Sequence, residues 1–316
     1  MTNAATPACP VCAAAARYDF SGRDIMFDKY DRYDYYRCTA CAAVFMHPMP
    51  TLEEIASFYP PTYSVFDESA RVRRVSKLKQ VVLKRKHGYT HLAPGAAAEL
   101  LGPLAGLFYK LYTPRFVPGG RMLDVGCGNG RYLSTMRTLG WDVQGVELSD
   151  EGVRVCRMAD LPVHHGDLAS AAFPDDSFDL VTVRHVIEHI ADPQPFMAEL
   201  ARVLKPGGQL VIETPNGNAL GRSLMGAVWY ANDVPRHLVL FNPESLERLA
   251  AQHGLRQVDV SLETTPKIIL NSVDYALESG GKRSSKRRGP RFLARVYVRL
   301  AQRANRGDTI HSTFTK

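Results

Sequence analysis

Between Arg121 and Glu263 short apolar runs alternate with stretches whose apolar residues recur at helical spacing. Met122–Val125, Val143–Glu147, Val163–Gly166, Phe178–Val183 and Gln209–Glu213 read as strands. Tyr132–Leu139, Asp150–Ala159, Pro195–Leu204 and Pro243–His253 read as helices between and after them. Lys205-Pro206-Gly207-Gly208 stops the third helix and Gly254 the last. Arg256–Glu263 and Thr309–Thr315 add two late strands, a hairpin split by an insertion at about 265–307. Alternation of this kind predicts an α/β fold with a parallel sheet covered by helices on both faces.

The N-terminal third has a different pattern. Tyr30, Tyr33, Tyr35 and Tyr36 suggest a strand. Thr51 and Glu54 form a capping box for a short helix that runs to Tyr59 and stops at Pro60-Pro61. Residues 69–98 hold no acid, and Arg71, Arg73, Arg74, Lys77, Lys79, Lys84, Arg85 and Lys86 interleave with Val75, Leu78 and Val82. That spacing predicts a basic amphipathic helix, either a solvated linker or a surface for anions. Leu100–Tyr112 reads as an apolar helix. In the insertion, Arg291, Arg295, Arg299 and Arg303 recur every four residues beside Phe292, Val296 and Leu300, after a cluster at Lys282, Arg283, Lys286, Arg287 and Arg288. This is a second cationic amphipathic helix.

Composition adds limits. The chain has 316 residues, 45% hydrophobic and 22% charged, which suits a soluble globular protein. No apolar run is long enough to span a bilayer, and the first ten residues lack the pattern of a signal peptide. A cytoplasmic location is expected, with contact at the inner membrane face through the basic segments. The net charge of +7 favours anionic partners.

Four of the six cysteines form two knuckles, Cys9-Pro-Val-Cys12 and Cys38-Thr-Ala-Cys41. Four thiolates on two tight turns predict a closed, structural zinc site. The expected organisation is a four-cysteine zinc-ribbon module at 1–65, a basic helical linker at 66–115 and a larger domain at 116–316.

The chemistry of the larger domain centres on Asp124-Val-Gly-Cys-Gly-Asn-Gly130, a glycine turn between a strand and a helix. Such a turn lets backbone N–H groups meet a polar ligand. It lacks the lysine of a phosphate loop, and Arg131 stands where a dinucleotide turn has its third glycine. Glu147 ends the second strand, where it can accept from a ribose diol. Asp167 ends the third, where it can accept from an adenine amino group.

With Phe178-Asp-Leu-Val181, His185-Val-Ile-Glu-His189 and Leu204-Lys-Pro-Gly-Gly208, these motifs resemble the class I S-adenosylmethionine (SAM)-dependent methyltransferases over roughly residues 120–260. The resemblance implies a Rossmann-like seven-stranded sheet whose last strand is antiparallel. It implies SAM as cofactor, with Asp124, Gly126 and Gly128 around the amino-acid portion, Glu147 at the ribose and Asp167 at the adenine. Cys127, Gly130, Leu148, Leu168 and His185 complete the expected cofactor-binding set.

His185, Glu188 and His189 would share one helical face, with His237 near them. They are expected to lie by the methyl acceptor, as general base or as a second divalent metal site. Small-RNA and ubiquinone-pathway O-methyltransferases resemble this stretch with a metal-binding Glu-x-x-Glu-His, whose first Glu is His185 here. Trp229 and Tyr230 could stack on an acceptor ring, Arg236 could hold its phosphate or carboxylate, and Tyr59 and Tyr63 could line a pocket. The expected acceptor is a small molecule or glycan, including a sugar carried on a lipid. RNA methylation and non-catalytic SAM binding are the alternatives.

Overall fold

The computed structural model describes residues 6–29, 31–59, 75–100, 102, 113–277 and 291–316. Tyr30, Pro60, Pro61, Tyr63, Arg71, Arg73 and Arg74, most of the helix expected at Leu100–Tyr112, and the basic cluster at 282–288 lie outside the described residues. The chain forms two compact units, Met1–Tyr63 with His185–Ala198 and Ile212–Phe314, and Ser64–Arg184 with Glu199–Val211 and Thr315–Lys316.

The strands of the main sheet are β4 (Arg121–Val125), β5 (Asp142–Glu147), β6 (Val163–His165), β7 (Phe178–Arg184), β8 (Leu204–Pro215), β10 (Arg256–Glu263) and β11 (Thr309–Thr315). Their order is β10-β11-β8-β7-β4-β5-β6. β4 pairs in parallel with both β5 and β7, and β5 with β6. The chain therefore winds outward from β4 through β5 to β6, then returns to β7 on the other side. The carboxyl end of β4 lies at that switch point, where open α/β sheets bind ligands. The N–H of Asn216 donates to the Asp308 carbonyl at 2.8 Å, and that of Gly207 to the Lys316 carbonyl at 3.1 Å. One end of β8 thus meets the start of β11 and the other meets its end, so the last strand is antiparallel, as expected.

Helices α4 (Arg131–Thr138), α5 (Asp150–Met158) and α6 (Pro193–Val203) fall within two residues of the expected bounds at each end. Met122, Leu133, Met136, Trp141, Val143, Cys156 and Leu180 make one buried cluster beneath β4 and β5. The strand expected at Gln209–Glu213 is longer. The helix stops at Val203, but Lys205-Pro-Gly-Gly then already runs as strand, because Gly207 finds a partner in Lys316.

Before the sheet come α1 (Leu52–Ser57), α2 (Lys77–Lys86) and α3 (Ala96–Leu100). The capping box on α1 forms as expected: Thr51 takes the Glu54 N–H, and Glu54 takes the Thr51 N–H at 2.7 Å. After β8 come α7 (Leu220–Met225) and α8 (Pro243–Gln252). Two further helices, α9 (Pro266–Leu277) and α10 (Arg291–Arg303), fill the described part of the insertion and pack through Ile269, Leu270, Ala294, Tyr297 and Ala301.

A second, antiparallel sheet has the order β1-β2-β3-β9, from β1 (Ala16–Gly22), β2 (Tyr33–Cys38), β3 (Val44–Met46) and β9 (Val239–Leu240). β9 has too few residues for any pattern to announce it. Through it the N-terminal strands join the stretch that carries His237. The Tyr35 hydroxyl donates to the His237 carbonyl at 2.9 Å, and the Asn242 side chain to the Cys41 carbonyl at 2.9 Å. Arg222 and Arg37 both pair with Asp19, and they hold its carboxyl below the ordinary range although burial would raise it.

The strongest tie is ionic. Arg236 and Asp24 are each 1% exposed. The guanidinium donates to both Asp24 oxygens at 2.8 and 3.1 Å and to Asp233 at 2.8 Å. Removing one partner of a buried pair strands the other charge, at a cost of about 3–5 kcal/mol. Asp24→Ala should therefore lower unfolding free energy by about that much, measured by urea denaturation. A loss below about 1 kcal/mol would show the pair to be dispensable.

Candidate active site

The glycine turn follows β4. Gly126, Gly128 and Gly130 have φ of +69°, +57° and +70°. Residues with a Cβ resist this region, so three glycines shape the loop. At Gly130 a Cβ would also collide with Leu161 Cδ1 and lie 2.8 Å from Cys156 Sγ. Gly130 caps α4 with no side chain, and the first N–H of that helix, on Arg131, is taken by Asn129 Oδ1 at 3.3 Å, so a ligand would meet the N–H groups that follow it.

Glu147 holds the turn. One carboxylate oxygen accepts the Gly128 N–H at 2.8 Å, and the other accepts the Ser149 N–H at 2.8 Å. Each oxygen keeps a further acceptor site. Asp124 is 3% exposed and accepts the Thr182 hydroxyl at 2.6 Å. Asp167 accepts the Ser170 N–H at 2.7 Å, and this bond leads in keeping its carboxyl below the ordinary range. Leu148 is 71% exposed directly after Glu147, whereas Leu168 is buried.

A cavity of about 750 Å³ opens at the turn, lined by Asp124, Gly126, Cys127, Asn129, Tyr132 and Arg184. The Arg184 guanidinium stacks 4.4 Å from the Tyr132 ring centroid. Ser76 and Lys79, at the start of α2, also line this cavity. From sequence that basic segment reads only as a linker or an anion surface. The one local signal is the N-cap Ser76, whose side chain accepts from the Lys79 N–H.

The second group follows β7. The shared helical face expected for His185, Glu188 and His189 does not form. His185 has φ of +54°, and only Ile187–His189 makes a 3-10 turn. This break takes His185 out of line with His189. Its Nδ1 lies 3.3 Å from Glu188 and its Nε2 3.3 Å from Glu213. Burial would depress the imidazole, but hydrogen bonds and charge from these carboxylates raise it to about 10.

Glu188 is fully buried and accepts the Thr214 hydroxyl at 2.8 Å. Burial would raise its carboxyl, but His185 and the nearby imidazoles hold it at about 2. His237 donates from Nδ1 to the Ala231 carbonyl at 2.9 Å, and His189 from Nδ1 to the Arg236 carbonyl at 2.9 Å. Both rings therefore carry their lone pair on Nε2 when neutral. Burial, with the neighbouring His237, lowers His189 to about 4, which keeps it neutral. Glu188, His189 and His237 each present one ligand atom, all within 4.8 Å of one another. Two imidazoles and a carboxylate suit a divalent cation. The Tyr59 hydroxyl sits 2.9 Å from His189 Nδ1 and helps to set that ring.

Two expected acceptor contacts are corrected. Arg236 cannot hold an acceptor anion, because its buried guanidinium is engaged by Asp24 and Asp233. Trp229 is 1% exposed and packs against Ala219 and Ala231, so it cannot stack on an acceptor.

The four knuckle thiols converge. Cys9 and Cys41 Sγ are 3.7 Å apart, Cys12 and Cys38 Sγ are 3.5 Å apart, and all four lie within 4.8 Å. A tetrahedral zinc–thiolate site has sulfur–sulfur edges of about 3.8 Å, so the donor set fits the ion. Backbone N–H groups of Val11, Ala40 and Cys41 point at the sulfurs at 3.4 Å.

Gly130→Ala should destabilise the protein by about 2 kcal/mol or more, since it adds left-handed strain to a contact at Leu161. Chemical denaturation checks this, and an unchanged midpoint would contradict the strained turn.

Comparison with known proteins agrees with this geometry. A family model described as Methyltransferase domain matches residues 86–260. Ubiquinone biosynthesis O-methyltransferase of Brucella anthropi is 32% identical over 159 residues, which cover 46% of this chain and 64% of that protein. The protein of the same name from Thiobacillus denitrificans is 32% identical over 157 residues, 45% of this chain and 67% of that one. The chain thus spans about two thirds of the length of these relatives. A crystal structure of a SAM-dependent methyltransferase from Archaeoglobus fulgidus aligns with 70% of this chain and 95% of its own, at 23% identity and a TM-score of 0.46. The matched span begins at the end of α2, takes in β4, its glycine turn and the strands through β8, and stops within β10, and the chain belongs to the class I SAM-dependent methyltransferase family.

Proposed function

We propose that this protein transfers the methyl group of SAM to a hydroxyl of a small-molecule acceptor. The observation that carries this is the glycine turn at the switch point, clamped by Glu147 beside the buried Asp124. Asp124 and the backbone of Gly126, Cys127, Gly128 and Gly130 would hold the amino-acid portion. Glu147 and Leu148 would hold the ribose, and Asp167 and Leu168 the adenine. SAM when bound supplies a methyl group already activated on sulfur, so the protein need only position the acceptor and take its proton.

We assign acceptor activation to Glu188, His189 and His237. A divalent cation on these residues would lower the pKa of a bound hydroxyl. That chemistry suits O-methylation, the reaction for which the relatives above are named. A vicinal diol, as in a sugar or a catechol, offers two oxygens to such a site. Our finer reading is a glycan hydroxyl, including one on a lipid-linked sugar. His185 serves to fix Glu188 through its bridge to Glu213.

Calorimetry should show SAM binding that Glu147→Ala weakens roughly tenfold, and absence of binding would sink the proposal. With labelled SAM and a panel of sugars and catechols, methyl transfer should fall about 100-fold or more in His237→Ala and on mild chelation. Full activity in both would remove the metal and the base together.

We further infer structural zinc on Cys9, Cys12, Cys38 and Cys41. Elemental analysis should find zinc that survives the mild chelation, and Cys41→Ser should lose it with several kcal/mol of stability. A Cys41→Ser protein of wild-type stability would refute a structural role.

A further inference from the structure

We propose that the outer face of α10 docks on an anionic lipid bilayer. Ala294, Tyr297 and Ala301 turn inward onto Ile269 and Leu270 of α9. The larger apolar side chains are left outside: Phe292, Leu293 and Leu300 are 71%, 59% and 52% exposed. At about 100° per residue, Phe292, Val296, Arg299 and Arg303 fall within about 60° of one another. Leu293 and Leu300 flank this strip on one side, and Arg291 and Arg295 on the other.

The helix has no acidic residue. Among the described residues no ion pair engages Arg291, Arg295, Arg299 or Arg303. A surface helix of a soluble protein normally turns polar groups to water. Here a row of apolar side chains lies beside a row of arginines, the arrangement that seats a helix in a headgroup layer. The arginines meet anionic headgroups while the apolar row enters the acyl boundary. No helix among the described residues is long and apolar enough to cross a membrane, so the contact is with its surface.

Two other occupants fit less well. A second copy docked on the same face would set arginine against arginine. RNA would use the cations and Phe292, but it gives no reason for Leu293 and Leu300 to face water.

The test is flotation of the full chain with vesicles of phosphatidylcholine alone, or with roughly one third phosphatidylglycerol. Binding is expected only to the anionic vesicles, and added salt should weaken it. Phe292→Ser with Leu300→Ser, and separately Arg295→Gln with Arg299→Gln, should each reduce partitioning roughly tenfold or more. These side chains are exposed, so SAM binding and thermal stability serve as controls and should not change. Equal binding to both vesicle types, or wild-type binding by either double variant, would overturn the proposal. So would salt-sensitive retention on single-stranded RNA without vesicle binding. The inference does not depend on the methyl-transfer reading, and its failure would leave that reading intact.

Discussion

The guanidinium of Arg236 is buried at 1% exposure, and it is tolerable there only because Asp24 and Asp233 surround it. Asp24 comes from the N-terminal segment, far away in sequence. Its pairing fixes where that segment lies against the 233–237 stretch. The carbonyl of Arg236 takes the Nδ1–H of His189, and the next residue is His237. A buried charge outside the Glu188, His189 and His237 cluster thus sets its two imidazoles. The Tyr35 hydroxyl on the His237 carbonyl and the pairing of β3 with β9 act in the same sense. The thiol cluster brings together the knuckles on either side of the β1–β2 hairpin and supports the same arrangement from further out.

The glycine turn is constrained differently. Glu147 spends a bond from each oxygen on the turn and on the start of α5. Cys156 sends its thiol to the Gly128 carbonyl at 3.4 Å, and Gly152 leaves room for the same oxygen. The acid read as a ribose acceptor is therefore first a brace for the loop. These roles are compatible, because a carboxylate accepts more bonds than the backbone uses here. A neutral replacement would loosen the loop as well as lose a ligand contact.

What was legible in the sequence was what neighbouring residues decide. Strands β4 to β7, helices α4 to α6 and the capping box at Thr51 come from local pattern, and each was found within two residues at either end. The seven-stranded sheet and its antiparallel last strand follow from the motifs and their family resemblance, whereas the strand order is visible only in the structure. The four thiols were legible because two Cys-x-x-Cys turns have few other uses in so short a segment. The cluster of Glu188, His189 and His237 was half legible. Its members were named, but the helix meant to align them was absent, because His185 turns with positive φ and breaks the face. For Arg236, charge alone suggests an exposed anion binder, and its partner Asp24 is visible only in three dimensions. β9 has two residues and owes its existence to β3.

The helix at 291–303 shows the same divide between pattern and placement. Its four-residue arginine rhythm was plain, and so was the apolar row beside it. Pattern alone suggests that the apolar row faces the core and the arginines face water. The helix instead buries two alanines and a tyrosine, whose hydroxyl donates to the buried Asp308 at 2.5 Å. That bond, together with the close approach of Tyr297 to Gly221, selects the inward face by hydrogen bonding and small size rather than by hydrophobicity. Phe292, Leu293 and Leu300 are then outside because the buried face excludes them. A larger apolar residue at Ala294 or Ala301 would collide with α9, so rotating the helix to hide the outer row is closed off. The exposed row is thus held in place by the core, which is what a surface for a second apolar phase requires.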